Sequence, residues 1–474
     1  MTRVSEVEWE IGKQFRSDML VPARVFATSS MLDDICQDRS LAQLVNVASL
    51  PGIRDAAIAM PDIHEGYGFP IGAVAATRWP DGAISPGGIG YDINCGVRML
   101  KSDLSLYDVR PKLELLSREI SRAVPSGVGR SGRVELGAND LDELLRDGID
   151  WTVREGYAET GDRENIESCG RLNNADPAAV SSHAKNRGFD QIGTMGAGNH
   201  FVEVDYVDNI FDSDVAAKFG LVKDQIVVLV HCGSRGLGHQ IATDYIKVML
   251  DSMTSHNIVL PDRELACAPL SSAEGDAYFN AMAAAANFAW ANRQLIAWEI
   301  RKEWTLIFGK ASTLTTLYDV AHNIAKVEDH LIDGVGQKVI VHRKGATRAF
   351  GPNHPELAEH YRMTGQPVII PGSMGTASYV LAGSKEPMSR SFCSCCHGAG
   401  RTMSRHAAKK QIGGSTLLEQ LKENGIIVRA GNIHDLAEEA PFAYKDVHNV
   451  VDVVERAGLA RKVASLKPVM VVKG

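Results

Sequence analysis

The chain has 474 residues, 45% hydrophobic and 23% charged, and a formal net charge of −8. Such a length buries a large core without disulfides or partner chains, and such a composition excludes fibrous and disordered classes. The acidic balance excludes a protein that coats nucleic acid through its overall field, while leaving room for a local basic groove.

The sequence has no run of about 18 apolar residues, and Met1–Glu6 lacks the apolar stretch of a signal peptide. A cytoplasmic location with no membrane partner is therefore expected. The eight cysteines (Cys36, Cys95, Cys169, Cys232, Cys267, Cys393, Cys395 and Cys396) are irregularly spread. In a reducing compartment they read as thiols, a few of them open to metal binding. Without a linker, low-complexity tract or internal repeat, the expectation is one large α+β domain over 1–474, its sheets flanked by helices.

Along the chain, glycine-rich turns bearing polar side chains recur at the ends of apolar runs. Pro61–Gly68 and Gly87–Arg98 come first, and in the second Asp92 and Cys95 are three apart, close enough to meet one ion if the loop turns tightly. Pro111–Ala123 reads as a helix with proline in its first turn. The stretch 127–186 is polar and irregular, with helical pieces near Leu141–Arg146 and Trp151–Gly156, and is expected to form a surface excursion.

Gly196–Glu203 sets bare backbone N–H groups beside His200, the kind of place that cradles phosphate. The apolar strand Ile226–Val230 runs straight into His231–His239, and chemistry sits in such loops. Ala273–Trp304 reads as a long helix whose Tyr278, Phe288, Trp290 and Trp298 belong to the core rather than to a base-stacking platform. Asp319–Asn323 again ends an apolar run with a histidine. Lys338–His342 and Pro367–Ile370 read as strands, the latter feeding Pro371–Ser378, which looks like a phosphate-holding turn but lacks the lysine of a Walker motif.

A lone histidine at a strand end is more often structural than a ligand. Three histidines, one thiol and one carboxylate on separate turns suit a two-metal site bridged by cysteine, with Mn(II) and Zn(II) equally acceptable by donor softness. Cys393–Arg401 could be a zinc knuckle, yet Cys393, Cys395, Cys396 and His397 are spaced too tightly for one tetrahedral ion. The other reading is a histidine nucleophile beside N–H donors and an arginine, suited to attack on a nucleotide phosphate.

Together these strings resemble the RtcB family of RNA-splicing ligases from about Pro61 to Gly474. The similarity rests on Asp92–Arg98, Gly198–Glu203, His231–His239, Val320–Asn323, Val341–Phe350, Pro371–Val380, His397–Arg401 and Lys473–Gly474. It implies a single RtcB-like α+β domain with active-site loops at strand ends. The activity implied is GTP-dependent joining of RNA 3′-phosphate or 2′,3′-cyclic phosphate ends to 5′-hydroxyl ends, in tRNA splicing or RNA repair. By the same resemblance Asp92, Cys95 and His200 hold one Mn(II), while Cys95, His231 and His322 hold a second.

The resemblance further implies that His397 carries GMP on the way to a 3′-guanylylated RNA. Guanylate contacts are implied for Asn199, His200, Phe201, Val202, Glu203, His322, Asn323, Pro371, Gly372, Ser373, Met374, Ser378, His397, Gly398, Ala399 and Gly400, with Lys473 near the guanine. Arg235, Lys344 and Arg401 would meet RNA phosphates, and an archease-type activator is an expected partner. Two other readings compete: a metal-dependent RNA cyclic phosphodiesterase and a non-catalytic RNA-binding paralogue. Departures from the family pattern are Cys232 in place of threonine, the added Cys393 and Cys395, and Gly351-Pro352-Asn353 in place of a more proline-rich turn.

Overall fold

Runs of valine, isoleucine and alanine that are apolar on both faces build two large sheets. In Ile226–Val230 every side chain is fully buried, which requires a central strand covered on both sides. The structure is a computed structural model that describes residues 1–474 except 128, 138 and 386–389. One seven-stranded sheet has the order Thr2–Arg3, Glu8–Ile11, Ala23–Phe26, Ile53–His64, Ile71–Arg78, Val335–Lys344, Asn323–Ile332. The other runs Leu314–Ala321, Gly96–Ser105, Gln225–Cys232, Phe201–Ile210, Ala460–Lys473, Ser378–Gly383, Pro367–Ile370, and Ile427–Ala430 pairs in parallel with Ala460–Lys473. Helices flank both, so the fold is α+β as expected.

The long helix spans Ala273–Phe308, one turn beyond the expected Trp304. Ser272 caps it by accepting from Gly275 N–H, and Gly309 in the left-handed region ends it. Tyr278, Phe288 and Trp290 are fully buried, confirming them as core, while Trp298 is half-buried against Tyr157. Ile296, Ile300 and Trp304 pack on Val202, Val204, Val228 and Val230, so the helix covers one face of the second sheet.

The stretch 127–186 is irregular, but among its described residues the apolar side chains are not superficial. Short helices at Asp140–Asp147 and Ile149–Arg154 bury Leu144, Leu145 and Ile149 completely against Ala283–Ala286 of the long helix. Leu141, Leu144 and Leu145 recur at helical spacing on one face, and that stripe ties the segment to the main core.

Candidate active site

Strand register, more than any single turn, collects the polar residues. Ala321 pairs with Gly96, Gly96 with Cys232, Val97 and Phe201 with His231, and Phe201 with Lys473. Cys95, His200, His231, His322 and Lys473 therefore hang in one row at the same end of five adjacent strands. His322 occupies the step where the chain leaves the second sheet for the first, between Leu314–Ala321 and Asn323–Ile332.

Asp92 and Cys95 meet because the loop between them does turn tightly. Asn94 adopts φ 51°, Cys95 N–H donates to the Asp92 carbonyl, and Asn94 N–H to the Asn323 carbonyl. Nε2 of His200 lies 2.8 Å from Asp92 Oδ2 and 3.4 Å from Cys95 Sγ. His231 Nε2 approaches the same sulfur at 3.3 Å, and its ring centre is 5.4 Å from that of His322. Thr347 Oγ1 is 3.1 Å from His322 Nδ1, leaving buried His322 Nε2 without a hydrogen-bond partner in the protein.

Below this row the long helix supplies an anchor. Arg293 is fully buried and donates from one nitrogen to the carbonyls of Asn94 and Cys232, both at 2.8 Å. Its other donors grip Asp319, which also takes Arg98 at 2.9 Å. One guanidinium thus fixes the chain beside Cys95 and beside His231, with its buried charge balanced by Asp319.

Burial drives the protonation pattern. It lowers His231 and His322 well below the ordinary histidine value, helped by His322 for the first and by His397 for the second, so both are neutral imidazoles able to accept a cation. Burial and neighbouring Asp92 push the Cys95 thiol up to about 12. A divalent cation reverses that preference, because a coordinated thiol loses its proton. The donors of Asp92, Cys95 and His200 lie within 4.8 Å of one another, and this mixed set, with the unpartnered nitrogen of His322 nearby, fits bound metal.

Facing the row stands His397, on the turn that follows the short strand Ser394–Cys396. Its ring centre is 5.3 Å from that of His322. Fully buried Asp62, from the strand Ile53–His64, accepts from His397 Nδ1 at 2.6 Å and from the backbone N–H of His397 at 3.0 Å. Burial pushes this carboxyl up, but His397 and these donors outweigh it and hold it below the usual range. A neutral ring held this way carries its proton on Nδ1 and turns Nε2 away from Asp62. Gly400 sits so close to Asp62 that a Cβ would lie 2.2 Å from its carbonyl oxygen, at a φ of 74° that only glycine adopts freely.

His397, Cys95, Asp92 and Lys473 line one cavity of about 330 Å³. Lys473 is 5% exposed, 3.8 Å from Glu439 and 5.5 Å from the Phe201 ring centre.

The sequence model of the family described as tRNA-splicing ligase RtcB matches residues 43–474. The chain belongs to the RtcB family. Proteins named tRNA-splicing ligase RtcB from Thermococcus kodakarensis, Archaeoglobus fulgidus and Methanococcus maripaludis are similar to it at 51%, 49% and 48% identity, each over 100% of this chain and 99% of the relative.

Within this RtcB chain the cavity also gathers Asn199, Phe201, Glu203, Asn323, Pro371–Met374, Gly398–Arg401 and Lys344. Three expected positions differ. Val202 points to the opposite face of its strand, into the apolar layer under the long helix, so its side chain cannot touch a nucleotide. Ser378 lies behind the cavity wall, where its hydroxyl accepts from Gly372 N–H at 3.1 Å. With Ser373 N–H likewise held by Thr376 at 2.9 Å, two of the turn's amides are spent on its own hydroxyls. Arg235 is tied to Thr194 and the Gly127 carbonyl, away from the cavity wall.

Lys344 does reach the cavity, but its ammonium is clamped by the Tyr67 and Phe69 carbonyls, and burial lowers it to about 7. Arg401 donates to Tyr444 at 3.0 Å and to the Glu438 carbonyl at 2.7 Å. Sequence reasoning missed Asp62, Arg293, Thr347, Glu439 and Tyr444. Asp62 and Thr347 stood inside quoted motifs; the other three carry no local signal.

Proposed function

We propose that this RtcB chain is an RNA ligase that joins RNA 3′-phosphate or 2′,3′-cyclic phosphate ends to 5′-hydroxyl ends, using GTP and a pair of Mn(II) ions, in tRNA splicing or RNA repair. The supporting observation is the placement of His397, aligned by Asp62 through Nδ1, in the same cavity as the Cys95-centred donor cluster. A phosphodiesterase needs the cluster alone, and an RNA-binding paralogue needs neither.

An RNA 3′-phosphate has no good leaving group, so it must be activated. His397 Nε2 attacks the α-phosphorus of GTP: an N–P bond forms and the bond to pyrophosphate breaks. Asp62 stabilises the positive charge that develops on the ring. An RNA 3′-phosphate oxygen then takes the guanylyl group, the N–P bond breaks, and His397 regains its lone pair. Attack of the 5′-hydroxyl on the activated 3′-phosphorus expels GMP and leaves a 3′,5′-phosphodiester, the hydroxyl proton passing to solvent.

Asp92, Cys95 and His200 would hold one cation and Cys95, His231 and His322 the other, supplying Lewis-acid stabilisation and a lowered pKa for the attacking hydroxyl or for water opening a cyclic end. Lys473 would donate to guanine O6, and Arg401 would meet an RNA phosphate. An archease-type activator fits this reading as a partner.

The test is a joining assay with end-labelled RNA bearing a 3′-phosphate and a 5′-hydroxyl. Joined product that requires both GTP and Mn(II) supports the proposal. Opening of cyclic ends without joining points to the phosphodiesterase, and RNA binding without turnover to the silent paralogue.

A further inference from the structure

Glu439 has no part in the chemistry above, yet it is the carboxylate on which cations of the cavity converge. It is 3% exposed and ends the short helical turn Ala437–Glu439. Its Oε1 lies 3.4 Å from Nη1 of Arg401 and 3.4 Å from Nε of Arg405. Its Oε2 accepts from the Tyr444 hydroxyl and lies 3.8 Å from the Lys473 ammonium. All five residues line the cavity that His397 and Cys95 also line.

The backbone explains the convergence. Ala430 pairs in register with Lys473, and Gly431 N–H donates to the Lys473 carbonyl at 3.0 Å, so the segment that follows starts beside the last strand. It ends beside the His397 turn, where Thr402 N–H donates to the Ala443 carbonyl and Lys445 N–H to the Gly400 carbonyl, both at 2.9 Å. Between these ties, buried Leu436 and Ala440 anchor the segment in one apolar layer with Leu417 and Leu421. One carboxylate in its middle therefore reaches a cation from each wall.

The tethers are unequal. Arg401 is held besides by the carbonyls of Met403 and Glu438, at 3.1 and 2.7 Å, and by Tyr444. Arg405 has Glu438 as a second partner at 3.8 Å. For Lys473, Glu439 is the one carboxylate in ion-pair contact among the described residues. Burial pulls that ammonium below the usual lysine range, and Glu439 is the strongest influence against it.

We propose that Glu439 is a positioning residue: anchored by Arg401, Arg405 and Tyr444, it aims the Lys473 ammonium at the nucleotide bound in the cavity. This rests on the reading above, in which the cavity takes GTP and Lys473 meets it. A lysine stem is flexible, so a buried ammonium without its carboxylate has no fixed direction. Loss of Glu439 should then act through Lys473 and add nothing once Lys473 is gone.

The experiment is a double-mutant cycle of Glu439→Gln and Lys473→Met on the full, Mn(II)-loaded chain. It reads the GTP concentration for half-maximal GMP adduct, the adduct rate at saturating GTP, and bound Mn(II). Glu439→Gln should need about tenfold more GTP, the size expected when a hydrogen bond to a charged group is lost. The saturated rate and the metal content should stay at wild-type level, because His397, Asp62 and the donor row are untouched. The double variant should need no more GTP than Lys473→Met alone. Tyr444→Phe, which removes one anchor of Oε2, should shift the requirement less, and that shift should also vanish beside Lys473→Met; this second cycle decides even if Glu439→Gln does not fold. Additive effects in either cycle, or an unchanged GTP requirement in Glu439→Gln, overturn the proposal. Equilibrium dialysis with radioactive GTP gives the same cycles as dissociation constants. A wild type that binds GTP without forming an adduct contradicts the guanylyl-transfer reading and leaves Glu439 to be decided by those constants, whereas one that binds no GTP overturns both.

Discussion

The two walls of the cavity are built on different principles. On the Cys95 wall the functional atoms are side chains at the ends of paired strands, tied from below by Arg293 to the carbonyls of Asn94 and Cys232. Nitrogen and sulfur atoms there lack protein partners or carry displaceable protons, the mark of a site completed by cations. On the His397 wall the chain comes from turns joined across the fold, and the contacts are already satisfied: Asp62 with His397, Ser378 with Gly372, Arg401 with Tyr444. The difference teaches that one wall depends on what binds it, and the other on being held in place.

If so, damage to the first wall should be complete. Cys95→Ala should abolish joining and strip bound Mn(II), measured by metal analysis of the purified variant, because the sulfur lies within 3.4 Å of two histidine nitrogens. Cys232→Ala should retain most activity, since its sulfur meets the metal-binding row only at the far nitrogen of His200, 3.8 Å away. Two bound ions and full activity in Cys95→Ala would break the comparison.

Damage to the second wall should be graded. Asp62→Ala leaves His397 without its Nδ1 acceptor, and the rate of GMP transfer should fall by about 10²- to 10⁴-fold while metal content is unchanged. Rapid-quench labelling with radioactive GTP reads the rate. Metal loss in that variant would mean the walls are not independent. Smaller still, deletion of Lys473 and Gly474, which hold no cation although Lys473 ends the Cys95 row, should weaken GMP transfer about ten- to a hundredfold and narrow the GTP-over-ATP preference. That is the range for a buried hydrogen bond from a charged donor worth roughly 1.5–3 kcal/mol. Labelling by GTP at the full-length level with ATP still rejected would remove Lys473 from base reading.

The first wall was the legible one. Each of its residues sits where a glycine-rich or polar turn meets an apolar run, so type and position announced it locally. The second was legible only in part: His397 and the Pro371–Ser378 turn carried local signals, but the rest of its logic is long-range, since Asp62 and His397 are 335 residues apart, and Thr347 gives no sign that it orients His322. Alternation along Phe201–Ile210 already turns the Val202 side chain away from the cavity, a step available from the sequence once that run is taken as a strand. Lys344 and Arg235 show a different limit, since a cation anchored on carbonyls and a free one have the same sequence. Leu141, Leu144 and Leu145 carried the signal that 127–186 belongs to the core, outweighed by the polar residues around them.

The most direct measurement is intact-protein mass spectrometry of the Mn(II)-loaded chain after incubation with GTP, run beside His397→Ala. The account predicts a mass increase of one GMP on the wild type and none on the variant. It also predicts that His397→Ala still joins, at least in part, an RNA supplied already guanylylated at its 3′ end. A GMP adduct on folded, metal-loaded His397→Ala, or joining by the wild type without any adduct, would contradict it.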